Sequence, residues 1–174
     1  MHRKIQLLVL LVFLMFSHLA SAADLLIDGV PLPSDVSVAA QTSEDSLKQW
    51  SGAWVGLWGG SLKHILLVES VSKDGTAQVV YAVGDNPYAG ITKRWLRAEG
   101  KVSGHTLTVT GKSFSATYEM TDGGKLKAHF ERGDSTSTAE MTRNDLTSLL
   151  KQGAVVAWTR GKSEFLQTNL IEDG

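Results

Sequence analysis

The sequence predicts an all-β fold: an eight-stranded antiparallel up-and-down barrel with short flanking helices. From residue 51 onward, short runs rich in Val, Leu, Thr, Tyr and Phe alternate with glycine-containing turns at intervals of roughly ten residues, as in sandwiches and barrels. Glycine supports the positive φ angles that tight hairpins require. Because the connections are too short for crossover helices, successive strands should pair antiparallel, and closing the barrel removes both exposed edges.

Composition excludes several other classes of protein. The chain has 174 residues, with 17 basic and 18 acidic side chains and a formal net charge of -1, which argues against a nucleic-acid partner. It has no cysteine, so disulfide scaffolds, thiol nucleophiles and cysteine-based zinc sites are excluded. With 43% hydrophobic residues and three prolines, it has the composition of an ordinary globular chain, and its length suits one domain.

Residues 1–22 have the three parts of a signal peptide. Arg3 and Lys4 give a basic start, residues 7–16 are an uninterrupted apolar run, and Ala20-Ser21-Ala22 forms a cleavage site of small residues. We expect cleavage after Ala22 and a periplasmic or secreted protein. The apolar run is shorter than the roughly 20 residues of a membrane helix, so no membrane span is expected after cleavage.

Residues 23–50 are predicted to form an N-terminal arm and a short helix. The arm, over 23–41, contains Pro31 and Pro33 and has no clear periodicity, which indicates an extended segment. The helix is expected over 43–50, with Ser43 as its N-cap.

The barrel domain is predicted over residues 51–143. Alternation in its later strands places apolar side chains on one face, as in Ala116, Tyr118 and Met120. The second and third strands are apolar on both faces, so another part of the chain must cover their outer side. The expected strands are 51–58, 62–71, 76–83, 92–102, 105–110, 113–120, 125–132 and 135–142.

Residues 144–174 are predicted to form a C-terminal helix and a covering strand and tail. The helix is expected over 144–151, ended by Gly153, with a strand over 154–158 in which Trp158 holds the tail in place. This segment is the expected cover of the apolar outer face. Use of that face as an interaction surface is the alternative.

Gly52-Ala53-Trp54 resembles the first motif of the lipocalins and the wider calycin group, a Gly-x-Trp at the start of the first strand. The resemblance implies a calycin-like barrel in which Trp54 closes one end and Arg143 packs across it. The middle lipocalin motif is not present, because Thr121-Asp122 is followed by two glycines. The chain is also similar to small β-barrel modules of bacterial secreted proteins that share its Val79–Gly84 stretch.

Small closed barrels either fill their interior with side chains or hold one small ligand. Tyr88 lies in the longest connection, 84–91, the kind of place where binding loops occur, although an ordinary surface loop is the alternative. For the strand residues the alternative is a packed barrel core. Charged strand residues such as Lys93, Arg94 and Arg97 are interpreted as solvated faces. The candidate ligand-binding residues are Trp58, Leu66, Val68, Tyr81, Tyr88 and Trp95.

No catalytic motif occurs in the sequence, and the chain is not expected to be an enzyme. His64, His105 and His129 lack the spacing of metal ligands, so neither a metal nor another cofactor is expected. The leading hypothesis is an exported, non-catalytic binding protein for a small, largely apolar molecule, held in the barrel or at its mouth. The alternative is a periplasmic or secreted module that binds or inhibits another protein.

Overall fold

The fold is a closed eight-stranded barrel with a small three-stranded sheet on its outside. A computed structural model describes residues 24–38, 47–152 and 154–156. The strands are β1 Asp24–Ile27, β2 Val30–Pro33, β3 Gly52–Trp58, β4 Leu62–Val71, β5 Thr76–Val83, β6 Arg94–Ser103, β7 Thr106–Thr110, β8 Ser115–Met120, β9 Leu126–Arg132, β10 Ser135–Asn144 and β11 Ala154–Val156. One α-helix, α1, spans Leu146–Gln152, and short 3-10 turns span Lys48–Trp50 and Pro87–Ala89.

The barrel has the predicted topology. Strands β3 to β10 pair antiparallel with their neighbours in chain order, and β10 closes the barrel by pairing with β3. The predicted eight-stranded antiparallel barrel is therefore confirmed, and each strand lies within two residues of its expected bounds.

Two hydrophobic clusters divide the apolar side chains. One fills the barrel and takes alternate residues of every barrel strand, for example Leu66 and Val68 on β4. The other lies on the outer face of β3, β4 and β5 and includes Ile65, Leu67 and Val80. The outer cluster explains why β4 and β5 are apolar on both faces: both faces are buried.

The N-terminal segment covers much of that outer face, which corrects the prediction of an extended arm. Strands β1 and β2 form a hairpin whose Ile27, Val30 and Leu32 are buried in the outer cluster. Its turn, Asp28-Gly29, has φ angles of 48° and 82°, as in the type I′ turn that Asp-Gly favours. The hairpin signal was present in the sequence, but two prolines in the second strand obscured it.

The C-terminal segment contributes to the same cover, as predicted. Leu149 of α1 is buried in the outer cluster, and β11 pairs with β1. Ion pairs also join the N-terminal segment to the barrel wall: Arg97 binds Asp35, and Lys63 binds Asp28. Arg97 also binds Glu69 of β4, within the wall itself.

Several predictions fall partly or wholly outside the described residues. The signal peptide, residues 1–22, and Trp158 lie there. Of the helix expected over 43–50, the structure describes the end, where a 3-10 turn spans Lys48–Trp50. No helix among the described residues is long and apolar enough to cross a membrane.

Candidate functional site

One end of the barrel is closed by Trp54 and Arg143. The Trp54 ring is buried, with 1% of its surface exposed, and its Nε1 donates a hydrogen bond to the Trp50 carbonyl at 3.0 Å. The Arg143 guanidinium lies 4.7 Å from the centroid of the Trp54 ring. It also donates hydrogen bonds to the carbonyls of Gln49 and Ser51, the latter at 2.6 Å. The packing of Arg143 across Trp54 is therefore present as the resemblance implied.

A layer of rings crosses the barrel above the closed end. Trp58 and His64 stack with ring centroids 5.0 Å apart, and Tyr118 packs against both. His64 is fully buried: its Nδ1 lies 2.8 Å from the Ala82 carbonyl and its Nε2 lies 3.0 Å from the Tyr118 hydroxyl. A carbonyl only accepts, so Nδ1 carries the hydrogen and Tyr118 donates to Nε2.

Burial lowers the pKa of His64 to about 4, although its hydrogen bond to the Ala82 carbonyl opposes the shift. The ring is therefore neutral near pH 7. Below this layer the interior is filled by buried side chains, and above it two clefts open.

The mouth cleft lies at the end of the barrel opposite Trp54 and has a volume of about 460 Å³. Its floor and walls are largely aromatic and aliphatic, and its rim carries small polar side chains. The residues that line it include Trp58, Leu62, Tyr81, Val83, Ile91, Arg94, Phe130, Arg132 and Ser137, with Asn86, Ala89 and Gly90 from the long loop.

The side cleft adjoins the mouth cleft and has a volume of about 440 Å³. It exists because β6 pairs with β7 only over its last four residues, Gly100–Ser103, whereas its earlier residues pair with β5 alone. The barrel wall is thus open between the first half of β6 and the β7–β8 turn. The residues that line this cleft include Tyr81, Arg94, Leu96, Arg97, Ala98, Glu99, Lys112, Phe114, Phe130 and Arg132.

Two arginines line both clefts. Arg94 is the first residue of β6 and shares the inward face with Leu96 and Ala98, while Arg132 is the last residue of β9 and shares that face with Phe130. Each arginine therefore ends an apolar inward stripe at the open end. Burial lowers the pKa of Arg94. Tyr81 opposes this shift, and the like charge of Arg132 adds to it.

Tyr81 and Trp58 add two polar hydrogens to the same region. Burial raises the pKa of Tyr81, which Arg94 and the Trp58 indole N–H oppose. The Trp58 N–H is buried yet makes no hydrogen bond of normal geometry with any described residue, including Tyr81. The wall shared by the two clefts therefore combines two arginines and a tyrosine with the aromatic ring of Phe130, and the buried Trp58 N–H lies close to that tyrosine.

The six predicted ligand-binding residues lie in different parts of the structure. Trp58 and Tyr81 line the mouth cleft as expected. Leu66 and Val68 point inward but are fully buried in the packed core, paired with Trp54 and Gly52 near the closed end, so they line neither cleft. Their placement at the mouth was wrong, because inward orientation does not specify depth along the barrel.

The remaining two candidates lie outside the barrel interior. Trp95 belongs to the outer cluster, and the Arg97 guanidinium lies 5.9 Å from its ring centroid, so the expectation that it points inward was wrong. Tyr88 is fully exposed on the long loop and lines neither cleft, although its neighbours Ala89 and Gly90 do.

Sequence reasoning missed the two inward arginines. Arg94 was grouped with solvated strand residues because β6 was read with Trp95 facing inward. The β6 side chains that point inward are instead the alternate set that begins at Arg94 and continues through Leu96, Ala98 and Gly100. This stripe of small and aliphatic residues was the available signal. On β9, the inward stripe of Leu126, Ala128 and Phe130 continues to Arg132 at the open end.

Within residues 24–38, 47–152 and 154–156, no group of three or more His, Asp or Glu side chains is placed to hold a metal ion. No family model, curated protein or solved structure matches the chain. The geometry of the barrel and its two clefts is therefore what points to a function.

Proposed function

We propose that the protein is a non-catalytic binding protein for a small, largely apolar molecule held at the open mouth of its barrel. The observation that carries the proposal is the mouth cleft itself, an aromatic-lined cavity of about 460 Å³ above an otherwise packed interior. Ligand sites have volumes of roughly 300–1,000 Å³ and combine mostly apolar walls with a few polar groups.

The packed interior favours a ligand at the mouth over one enclosed deep in the barrel. Trp54 and Leu66 fill the space below the ring layer, Tyr118 belongs to that layer, and each of the three has at most 1% of its surface exposed. Displacing these side chains would disrupt close packing, and a weakly bound molecule would not offset the free energy lost. The mouth and side clefts already provide space.

The apolar lining is sufficient for useful affinity. A ligand that loses about 400 Å² of apolar surface gains roughly 10 kcal/mol at 25 cal/mol per Å². Association costs at least about 4 kcal/mol of this gain. The difference corresponds to dissociation constants of roughly tens of micromolar.

We also propose that the protein acts outside the cytoplasm, in the periplasm or the medium. The support is the sequence of residues 1–22, with its basic start, apolar run and small-residue cleavage site. N-terminal sequencing of exported material should give a chain that begins at Ala23. Full-length protein retained in the inner membrane would contradict this proposal.

Intrinsic fluorescence provides the test of binding, because Trp58 lines the mouth cleft. Titration with acyl chains, sterols, quinones and haem should give saturable quenching for at least one class. Replacing Ile91, an aliphatic wall residue, by Gln should weaken that binding, whereas Tyr88→Ala serves as a control because Tyr88 lines neither cleft. If no compound gives a saturable change, the binding proposal fails.

One observation favours the second candidate function, a protein-interaction module. Tyr88 projects fully exposed from the 3-10 turn beside the mouth, and exposed tyrosines are frequent anchors of protein interfaces. If the panel fails and Tyr88→Ala abolishes capture of a specific secreted partner, the interaction function replaces ligand binding.

A further inference from the structure

The chemistry of the two clefts specifies the ligand more narrowly than apolar character alone. The mouth cleft is lined by both inward arginines, and no carboxylate lines it among the described residues. The side cleft adds Lys112 and one carboxylate, Glu99, together with Arg97, which is already bound by Asp35 and Glu69. The region shared by both clefts therefore has a positive electrostatic potential.

The donors converge where the two clefts meet. Tyr81, Arg94, Phe130 and Arg132 line both clefts, so these four residues lie at the junction, where Tyr81 and Arg132 are close enough to Arg94 to affect its pKa. The Trp58 N–H, which has no hydrogen-bond partner of normal geometry among the described residues, is close enough to Tyr81 to affect its ionisation. Guanidinium groups only donate, and a phenol can also donate, so the natural ligand atom here is a charged acceptor.

Placing two arginines at this position has an unfavourable consequence in the unliganded protein. Each is drawn partly out of water, and the charge of Arg132 disfavours that of Arg94, although Arg94 also donates a hydrogen bond to the Thr92 carbonyl at 3.1 Å. An anion bound between them would remove that repulsion. Apolar side chains continue away from the junction on both sides: Leu62 and Ile91 in the mouth cleft, Leu96 and Phe114 in the side cleft.

We propose that the ligand is an amphipathic anion whose acidic head group is held at the junction by Arg94 and Arg132, while its apolar part lies along the aromatic walls. This inference depends on the proposed binding function and narrows it to one chemical class. Carboxylate, sulfate and phosphate heads share the required chemistry: several acceptor oxygens that guanidinium groups can bind in pairs.

Matched ligands that differ only in the head group provide the test. Calorimetric titration of the purified protein with decanoate, decyl sulfate, decyl phosphate and decan-1-ol compares charged and neutral heads on one alkyl chain. At least one anionic ligand should bind roughly tenfold or more tightly than the alcohol, as expected when charge-assisted hydrogen bonds form. Its affinity should also fall as salt is raised, whereas that of the alcohol should not.

Variants assign the effect to the two arginines. Arg94→Gln and Arg132→Gln should each weaken the anion roughly tenfold, leave the alcohol unchanged and reduce the dependence on salt. Arg94→Lys should retain part of the affinity because it keeps the positive charge. It should not retain all of it, because lysine lacks the planar guanidinium that binds two oxygens at once. Lys125→Gln is the matched control, since Lys125 is an exposed cation paired with Glu140 and lines neither cleft.

The possible failures are distinguishable. If the alcohol binds as tightly as every anion and both glutamine variants bind all four ligands like the parent protein, the head-group inference is overturned and the binding function stands. If none of these ligands binds and the wider panel also gives no saturable change, both proposals fail together.

Discussion

The two ends of the barrel use the same side-chain types for different purposes. At the closed end, Arg143 lies over Trp54 and donates to two backbone carbonyls, so its charge has acceptors built into the fold. At the open end, Arg94 and Arg132 line a cavity together with Trp58 and Tyr81, and Arg94 donates to the Thr92 carbonyl at 3.1 Å. Arg143 is held by two backbone carbonyls as it covers the Trp54 ring and so stabilises the fold, whereas Arg94 and Arg132 line a cavity and are placed to reach an external acceptor as well.

The largest expected effect tests the closed end. Trp54→Ala should lower the free energy of unfolding by about 3–5 kcal/mol, the usual cost of emptying a large buried aromatic site. Denaturant unfolding measures the change, with Tyr88→Ala as a control for removal of an exposed aromatic ring. A parental midpoint for Trp54→Ala would show that this ring is not structural.

His64 belongs to the ring layer that separates the packed closed end of the barrel from its open mouth. Its folded pKa of about 4 lies below the ordinary value of 6.5. The unfolded chain therefore binds a proton at this site before the native protein does, so stability falls as pH drops from about 6.5 to 4. The loss should reach about 3 kcal/mol at the lower limit, given 1.36 kcal/mol per pKa unit.

His64→Gln, whose amide can both donate to the Ala82 carbonyl and accept from Tyr118, should remove this pH dependence. Unfolding free energies of both proteins from pH 7 to pH 4 make the comparison. Parallel curves would contradict a buried neutral histidine.

A smaller effect is expected at Arg143. Arg143→Ala should destabilise the protein by about 1.5–3 kcal/mol, because it removes charge-assisted hydrogen bonds and leaves carbonyl acceptors without their donor. Arg143→Lys should be intermediate, since an ammonium keeps the charge but not the planar group over Trp54. Thermal or denaturant midpoints of both variants suffice, and a neutral result for alanine would remove the structural distinction between the two ends.

The smallest effect should come from the open end. Arg94→Gln should leave the free energy of unfolding within about 0.5 kcal/mol of the parent or raise it slightly, because relief of desolvation and of repulsion by Arg132 offsets the loss of an exposed hydrogen bond to the Thr92 carbonyl. A loss comparable to that of Arg143→Ala would mean that Arg94 is mainly structural.

The sequence was sufficient for the topology of the barrel but not for its cover. Regular glycine turns and alternation located all eight barrel strands, and the apolar outer faces of β4 and β5 required a covering segment. The sequence analysis did not predict that the N-terminal hairpin also covers this outer face. Pro31 and Pro33 are compatible with β2 because it is the last strand of its three-stranded sheet and pairs there with β1 alone.

The site was only partly predictable because alternation gives two faces without saying which is inward. For β6, the choice between Trp95 and Arg94 reverses every side chain of the strand. Aromatic size suggested Trp95, but the outer cluster provides a second apolar environment that accepts it. Depth along the barrel, which separates Val68 near the closed end from Trp58 at the mouth, depends on how the strands pair and is not encoded in any single strand.

The most direct test of the difference between the two ends is an NMR titration of ¹⁵N-labelled protein with decanoate. It would follow the indole N–H resonances of Trp54 and Trp58 together with the guanidinium Nε–H resonances of the arginines. We expect saturable shifts at Trp58, Arg94 and Arg132, and little change at Trp54 and Arg143. Saturable shifts centred on Trp54 and Arg143, with Trp58 unaffected, would contradict the assignment of the open end as the binding site.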